Sequence, residues 1–425
     1  MKKIVWLLLF IFACSAAEAD VIYTYTDSSG NNRVGLIKVT EDDSVSENYF
    51  NFAVSKDAAG RSFNSVINAS AFKRSNKSYV IVTETPEVIS DAASSDTAYI
   101  YNCNSDGNWT LEDSFEMTGA LNVKEVDISA NGNSLFAAAR GFEDKTAQAG
   151  IIEYAYPDFK PTGNAFIFSK DIDIEKDCVV RAEDLLIYSN TIYGLFSVRA
   201  SDDGWLDSYV TRLDGQLEWR TRYRNYEVGP QAMDFALNKS NQVVVACMGN
   251  KGISGDVELL YANSSKTVLL TNCDIDGNLV GKVLAVGRGL DKGVYFIAAS
   301  GDVETLYGCY DNKEDLLSDK IMDVTPAVNP NVGERRKIVW DDVNKLVFIM
   351  TGDSIIAIDE NYGLADNNYI VKTFSVGDLG GWPNSISEIK KVSSKKSSSS
   401  NSSCDALSLG LIVLLIPAFI KFKKF

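Results

Sequence analysis

The sequence predicts an all-β chain in which one four-stranded unit repeats, and three observations carry that reading. Short β-branched and aromatic runs recur behind polar turns, at 79–83, 135–139, 192–196, 243–247, 294–298 and 346–350. Their starts lie 56, 57, 51, 51 and 52 residues apart, a spacing that marks an internal repeat. Each run is followed by a Ser/Asp/Gly-rich turn and a second strand, at 99–101, 151–155, 209–213, 257–261, 303–307 and 355–358. Finally, strands that open a unit, such as 125–129 and 337–341, have no counterpart before the first copy. A spare one, 385–392, stands at the far end.

Four short strands in a unit of about 50 residues, repeated, describe the blades of a β-propeller. Residues 21–392 number 372, and 372/7 is about 53, which matches the spacing of the runs. The expectation is a single seven-bladed ring over residues 20–392. Its first blade combines strand 385–392 with strand 21–26, so that closure removes an exposed sheet edge.

Taken in chain order, residues 1–19 read as a secretory signal peptide. Lys2 and Lys3 precede an apolar run from Ile4 to Ala13, and Ala17-Glu18-Ala19 supplies the small-x-small cleavage site, with the cut after Ala19. Ile11-Phe12-Ala13-Cys14 resembles a lipoprotein box, although Phe12 fits it badly. Residues 393–403 form a Ser-rich linker, and residues 404–425 begin with Cys404-Asp405-Ala406 and end on Lys421-Phe422-Lys423-Lys424-Phe425. A helix over 406–420 has 15 residues, or about 22 Å at ~1.5 Å each, short of a ~30 Å hydrocarbon core. The terminal lysines orient it with Phe425 in the cytoplasm and the body outside.

This tail resembles the Cys-containing C-terminal sorting signals of the myxobacterial and Synergistes types. Ser402-Ser403 stands where a Gly pair is commoner in those families. The resemblance implies that Cys404 sits beside a processing cut and carries a lipid, so the membrane is contacted through Cys404 or through the helix; a plain unprocessed anchor is the other reading. Residues 209–223, YVTRLDGQLEWRTRY, look like the outer half-blade of bacterial propeller repeats of the quinoprotein type. Partial echoes occur at Asp106-Gly107-Asn108-Trp109 and Asp276-Gly277-Asn278-Leu279. This resemblance implies fold and carries no activity.

Composition removes whole classes of chemistry. Histidine is absent, which excludes Ser-His-Asp and Cys-His catalysis and HExxH zinc sites. The formal charge is −16. Residues 20–392 hold 34 Lys+Arg and 55 Asp+Glu, so the body stands at 34 − 55 = −21. Such a field repels phosphate backbones, and no nucleic-acid partner is expected.

Asp274, Asp276 and Asn278 beside Gly277 place alternate oxygen side chains as at the start of an EF-hand loop, which makes them weak calcium candidates. The twelfth position holds Ala285 instead of Glu, so an Asp-Gly hairpin turn is the preferred reading and no cofactor is expected. Asp202-Asp203-Gly204 and the segment 104–108 are read in the same way. Ser201-Asp202-Asp203-Gly204-Trp205 resembles the Asp box of sialidase propellers but departs from its spacing. Arg181 and Arg199 precede Arg212, Arg220, Arg222 and Arg224, which cluster near Trp219 and Tyr223 and read as an outer edge strand guarded by charge. The body's five cysteines, Cys103, Cys178, Cys247, Cys273 and Cys309, are odd in number and lack CxxC spacing, so buried thiols are expected.

The function expected is that of a non-enzymatic module at the cell surface or envelope, a monomer that binds a protein, glycan or peptidoglycan partner. The enzymatic alternative is an envelope glycosidase or lyase using carboxylates, Arg and Tyr in the central funnel. A third reading is a scaffold for outer-membrane assembly. Paired carboxylates about 5–10 Å apart in the funnel favour the glycosidase, whereas scattered charge favours binding.

Overall fold

A strand such as Val243–Met248, in which Val243, Val244, Val245 and Ala246 are all buried, has no solvent face. It must therefore be covered by apolar surface on both sides. That requirement organises the computed structural model. It describes residues 19–27, 32–39, 45–46, 52–53, 69–74, 77–84, 95–103, 109–129, 131–143, 146–168, 178–200, 204–220, 231–238, 240–248, 258–261, 268–270, 282–289, 293–300, 303–309, 318–326, 336–341, 345–359, 370–375 and 381–391.

The strands form antiparallel sheets laid down in chain order. One four-stranded sheet comprises Leu121–Ile128, Ser134–Glu143, Thr146–Ala155 and Lys160–Ile167. A second comprises Cys178–Tyr188, Thr191–Ala200, Gly204–Arg212 and Leu217–Arg220, and a third Lys337–Asp341, Leu346–Met350, Ser354–Asp359 and Ile370–Ser375. An eight-stranded sheet contains two such runs, Gln231–Leu237 to Val268–Leu270 and Lys282–Arg288 to Ser318–Asp323, joined at the Met248 and Lys282 pair. A nine-stranded sheet holds the run from Ala69–Arg74 to Trp109–Glu116 together with the strands of both chain ends.

Alternate residues of one strand serve two different cores. Val347 and Ile349 pack with Tyr295, Ile297 and Leu306 of the preceding run, while Leu346, Phe348 and Met350 pack with Val21, Tyr23 and Ile37 from the start of the chain. Val244 and Ala246 are divided from Val243 and Val245 in the same way. Ile22 and Val34 then join Ala71, Val80 and Tyr99. The apolar layers thus lead from sheet to sheet and return to the first, and the period-two geometry of a strand explains why each recurring run is apolar at every position.

The two ends of the body pair as expected. Gly381–Lys391 lies antiparallel to Ala19–Asp27, with Val21 opposite Glu388 and Thr26 opposite Trp382. It also pairs in parallel with Ala69–Arg74, through Ile389 opposite Ala71. The strand begins earlier than the expected 385–392 and takes in Trp382 and Pro383. A register shift between Thr24 and Tyr25 leaves Asn384 as the extra residue, and such a bulge is where a sheet tolerates proline. Asn384 Nδ2 donates to Thr26 Oγ1 at 2.8 Å, and the hydroxyls of Thr24 and Ser385 lie 2.7 Å apart.

The first strands of the runs converge, and their approach is close. A Cβ on Gly287 would collide with Ile338 Cγ2 of the neighbouring strand. Glycine there sets how tightly the cavity-facing strands draw together.

Candidate functional site

Leu121–Ile128, Cys178–Tyr188, Gln231–Leu237, Lys282–Arg288, Lys337–Asp341 and Gly381–Lys391 all contribute to the wall of one cavity of about 250 Å³. Much of that wall is apolar, including Leu186, Leu237, Ile338 and Val339. Charged groups come from different sheets and meet here.

Two lysines of the wall tie three aspartates, of which Asp127 and Asp184 line the cavity and Asp234 lies beside it. Lys337 Nζ donates to Asp184 and, at 3.1 Å, to Asp234 Oδ1. Lys390 Nζ donates to Asp127 and, at 3.5 Å, to the carbonyl of Ile187. The aspartates are also held locally: the N–H of Leu185 donates to Asp184 Oδ1 at 2.9 Å, that of Ile128 to Asp127 Oδ1 at 2.8 Å, and that of Val286 to Asp234 Oδ2 at 3.0 Å. Register shifts at Ala182/Asp184 and Ala232/Asp234 mark β-bulges beside two of them, a device that re-aims side chains toward a cavity. The remaining wall carboxylates, Glu125 and Glu388, are engaged as well.

Asp184 and Asp234 share one ammonium, so their nearest oxygens lie within about 6 Å, twice a hydrogen-bond length. Both are 2% exposed. Burial pushes the Asp234 carboxyl from its ordinary 3.8 up to about 8, with Lys337 opposing the rise and Asp184 adding to it. Between those two values the folded state keeps a proton that the unfolded chain has lost. This group therefore contributes most below pH 4, and that contribution declines as pH rises toward 8, by at most about 1.4 kcal/mol per pH unit. Asp234→Asn is expected to flatten the dependence of unfolding free energy on pH between 5 and 8. Urea denaturation of both proteins at four pH values checks this, and parallel profiles would contradict it.

The strand ends form another part of the wall. Tyr188 and Arg288 close their strands and Trp340 is next to last in its own, and all three are partly buried. The Arg288 guanidinium lies 5.2 Å from the centroid of the Tyr188 ring, and its Nη1 donates to Asn241 Oδ1 at 3.3 Å. Lys345 Nζ lies 5.8 Å from the centroid of the Trp340 ring.

No protein-family model matches the sequence, and no curated protein does. Among solved structures the chain is similar to a periplasmic gluconolactonase of Pseudomonas aeruginosa, with a TM-score of 0.54 and 10% identity, over 87% of this chain and 99% of that one. The fold is propeller-like. The chain is also similar to a quinoprotein alcohol dehydrogenase-like protein of Bacteroides thetaiotaomicron, with a TM-score of 0.46 and 10% identity, over 86% of this chain and 77% of that one. At 10% identity the likeness to the gluconolactonase is one of fold.

On this propeller scaffold the residues singled out in the sequence divide into three groups. Asp274, Asp276, Asn278 and Cys404 lie outside the described residues, as do 1–18 and 392–425. Among the described residues there is no cluster of three metal-ligating side chains, and no helix long and apolar enough to cross a membrane. Ala19 opens the first strand and pairs with Lys38. Arg212 makes local contacts with Asp214 at 3.1 Å, Glu218 at 3.5 Å and Gln216 Oε1 at 2.8 Å. Leu217–Arg220, which carries Trp219 and Arg220, is the edge strand of its sheet. Asp214-Gly215 is the hairpin turn expected of Asp-Gly, with Gly215 at φ +83°. Of the segment resembling an Asp box, Gly204 pairs with Ala200 and Trp205 with Arg199, while 201–203 lie outside the described residues.

None of the tied residues belongs to a motif singled out in the sequence. A signal existed: Asp127, Asp184 and Asp234 recur at intervals of 57 and 50 residues, close to the period of the repeat.

Proposed function

We propose that the chain is an exported, envelope-anchored β-propeller of seven blades that acts as a non-enzymatic binding module. The observation that carries the binding reading is the state of the carboxylates in the cavity wall and of Asp234 beside it. Asp127, Asp184 and Asp234 each hold a lysine, and Glu125 and Glu388 are engaged too. A glycosidase needs one carboxylic acid and one carboxylate exposed to substrate on either side of a bond, whereas Asp184 and Asp234 are sealed from solvent.

Seven blades are supported by dividing the nine-stranded sheet at the parallel pairing of Gly381–Lys391 with Ala69–Arg74, and the eight-stranded sheet at Met248 and Lys282. With the three four-stranded sheets, 2 + 2 + 3 gives seven. Export rests on the leader cut after Ala19 and on the tail from Cys404, which a Ser-rich linker of 11 residues joins to the body. A flexible linker of that length reaches roughly 17–20 Å. The protein binds no calcium at Asp274, Asp276 and Asn278, works as a monomer, and holds the membrane through its tail.

The full-length protein, recovered from the envelope fraction, is expected to start at Asp20 by mass spectrometry. A terminus processed near Cys404 supports sorting, and an intact Phe425 supports the plain anchor. Recovery in the cytosol discards both. Used as bait, the protein is expected to capture an envelope protein, glycan or peptidoglycan fragment. The closeness of Asp184 and Asp234 favours a second reading, the envelope glycosidase or lyase. Hydrolysis of a glycan panel, abolished by Asp184→Asn, would establish that reading instead.

A further inference from the structure

We propose that the cavity binds a small organic acid, whose carboxylate pairs with Arg288 while its apolar body lies against Leu186, Leu237, Ile338 and Val339. This rests on reading the body as a binding module and names the chemistry of its ligand.

The sign of the unspent charge decides for an anion. The four wall carboxylates, Glu125, Asp127, Asp184 and Glu388, are all engaged, as is Asp234 beside them, and Lys337 and Lys390 are spent on aspartates. Arg288 differs. Its contacts are a neutral amide and an aromatic ring, and among the described residues it has no carboxylate partner. In a body of net charge −21, an arginine on a cavity wall without an acidic partner is a site for a supplied one, and a guanidinium takes a carboxylate through two parallel hydrogen bonds.

A cationic ligand fits less well. The faces of Tyr188 and Trp340 already carry the cations Arg288 and Lys345, so the aromatic surface that would cage an ammonium is in use.

Size and lining set the body of the ligand. An apolar cavity of roughly 150 Å³ accommodates benzene, and this one measures about 250 Å³. It holds one ring and a carboxylate but not an oligosaccharide. Leu186, Leu237, Ile338 and Val339 on the wall offer a sugar few hydrogen bonds, and they suit an aryl or branched alkyl group.

Calorimetric titration of the full-length protein with phenylacetate and with benzyl alcohol separates charge from ring. Phenylacetate is expected to bind saturably and at least about tenfold more tightly, the scale of one charge-assisted contact. Arg288→Gln should reduce that preference to within about twofold, and Arg288→Lys should retain part of it. Equal binding of the two compounds by the wild-type protein, binding of neither, or an undiminished preference in Arg288→Gln each overturns the proposal. The wild-type comparison stands even where a variant fails to fold. Capture of an envelope partner by wild-type protein that ignores phenylacetate would sink this site and leave the binding-module reading standing. Phenylacetate binding without any captured partner would uphold this site and discard only the macromolecular partner.

Discussion

Deleting Gly381–Lys391 is expected to abolish cooperative folding. This one strand bonds to Ala19–Asp27 on one side and Ala69–Arg74 on the other, so its loss exposes two rows of backbone donors and acceptors. Its Ile386 and Ile389 are buried in two different cores, and at about 1.5–3 kcal/mol each their burial is comparable with the 5–15 kcal/mol that holds a domain folded. Lys390 leaves with it, stranding Asp127. Size-exclusion chromatography should find the truncated protein aggregated, and calorimetry should find no sharp transition. A permuted chain carrying residues 381–391 ahead of residue 20 through a short turn should regain both, because Glu388 lies opposite Val21 and the ends to be joined are close. A soluble, cooperatively melting truncation would refute closure by the terminal strand.

Lys337→Met should be the most damaging single substitution in the cavity. It leaves Asp184 and Asp234, each 2% exposed, facing one another without their shared ammonium. Removing one partner of a buried pair costs about 3–5 kcal/mol. The sign of the pH effect follows from the carboxyl groups. In the variant Asp234 loses the ammonium that opposed its rise, so at pH 5 the folded state sheds most of the repulsion by holding a proton, whereas at pH 8 it cannot. Urea denaturation should therefore register a larger loss at pH 8 than at pH 5. Adding Asp234→Asn to Lys337→Met should cost less than the sum of the two single losses, since each removes the same interaction. Equal losses at both pH values would mean that Lys337 acts by packing. Lys390→Met should cost less, because the Lys390 and Asp127 side chains are 22% and 12% exposed and water screens them.

The strands, their order and the pairing of the chain ends were legible in the sequence alone. Each is a local property or a consequence of the period. A run such as 346–350 is apolar at every position because it is buried on both faces, and a turn such as Asp214-Gly215 announces itself through backbone preference. The missing first strand and the spare last one could be matched by counting. Counting can mark Asp127, Asp184 and Asp234 as recurring near the period, but not the lysines they meet or the cavity beside them. Lys337 meets residues 153 and 103 positions away, and Lys390 one 263 positions away, and no local pattern tells a strand lysine which carboxylate it will face. Nor did the sequence distinguish Arg288 from the more conspicuous cluster at 212–224, where Arg212 proves to be paired with the carboxylates of its own hairpin. Arg288 stands out only once the sheets converge, because whether a charge is spent depends on neighbours brought in from other blades, and that is decided by tertiary packing.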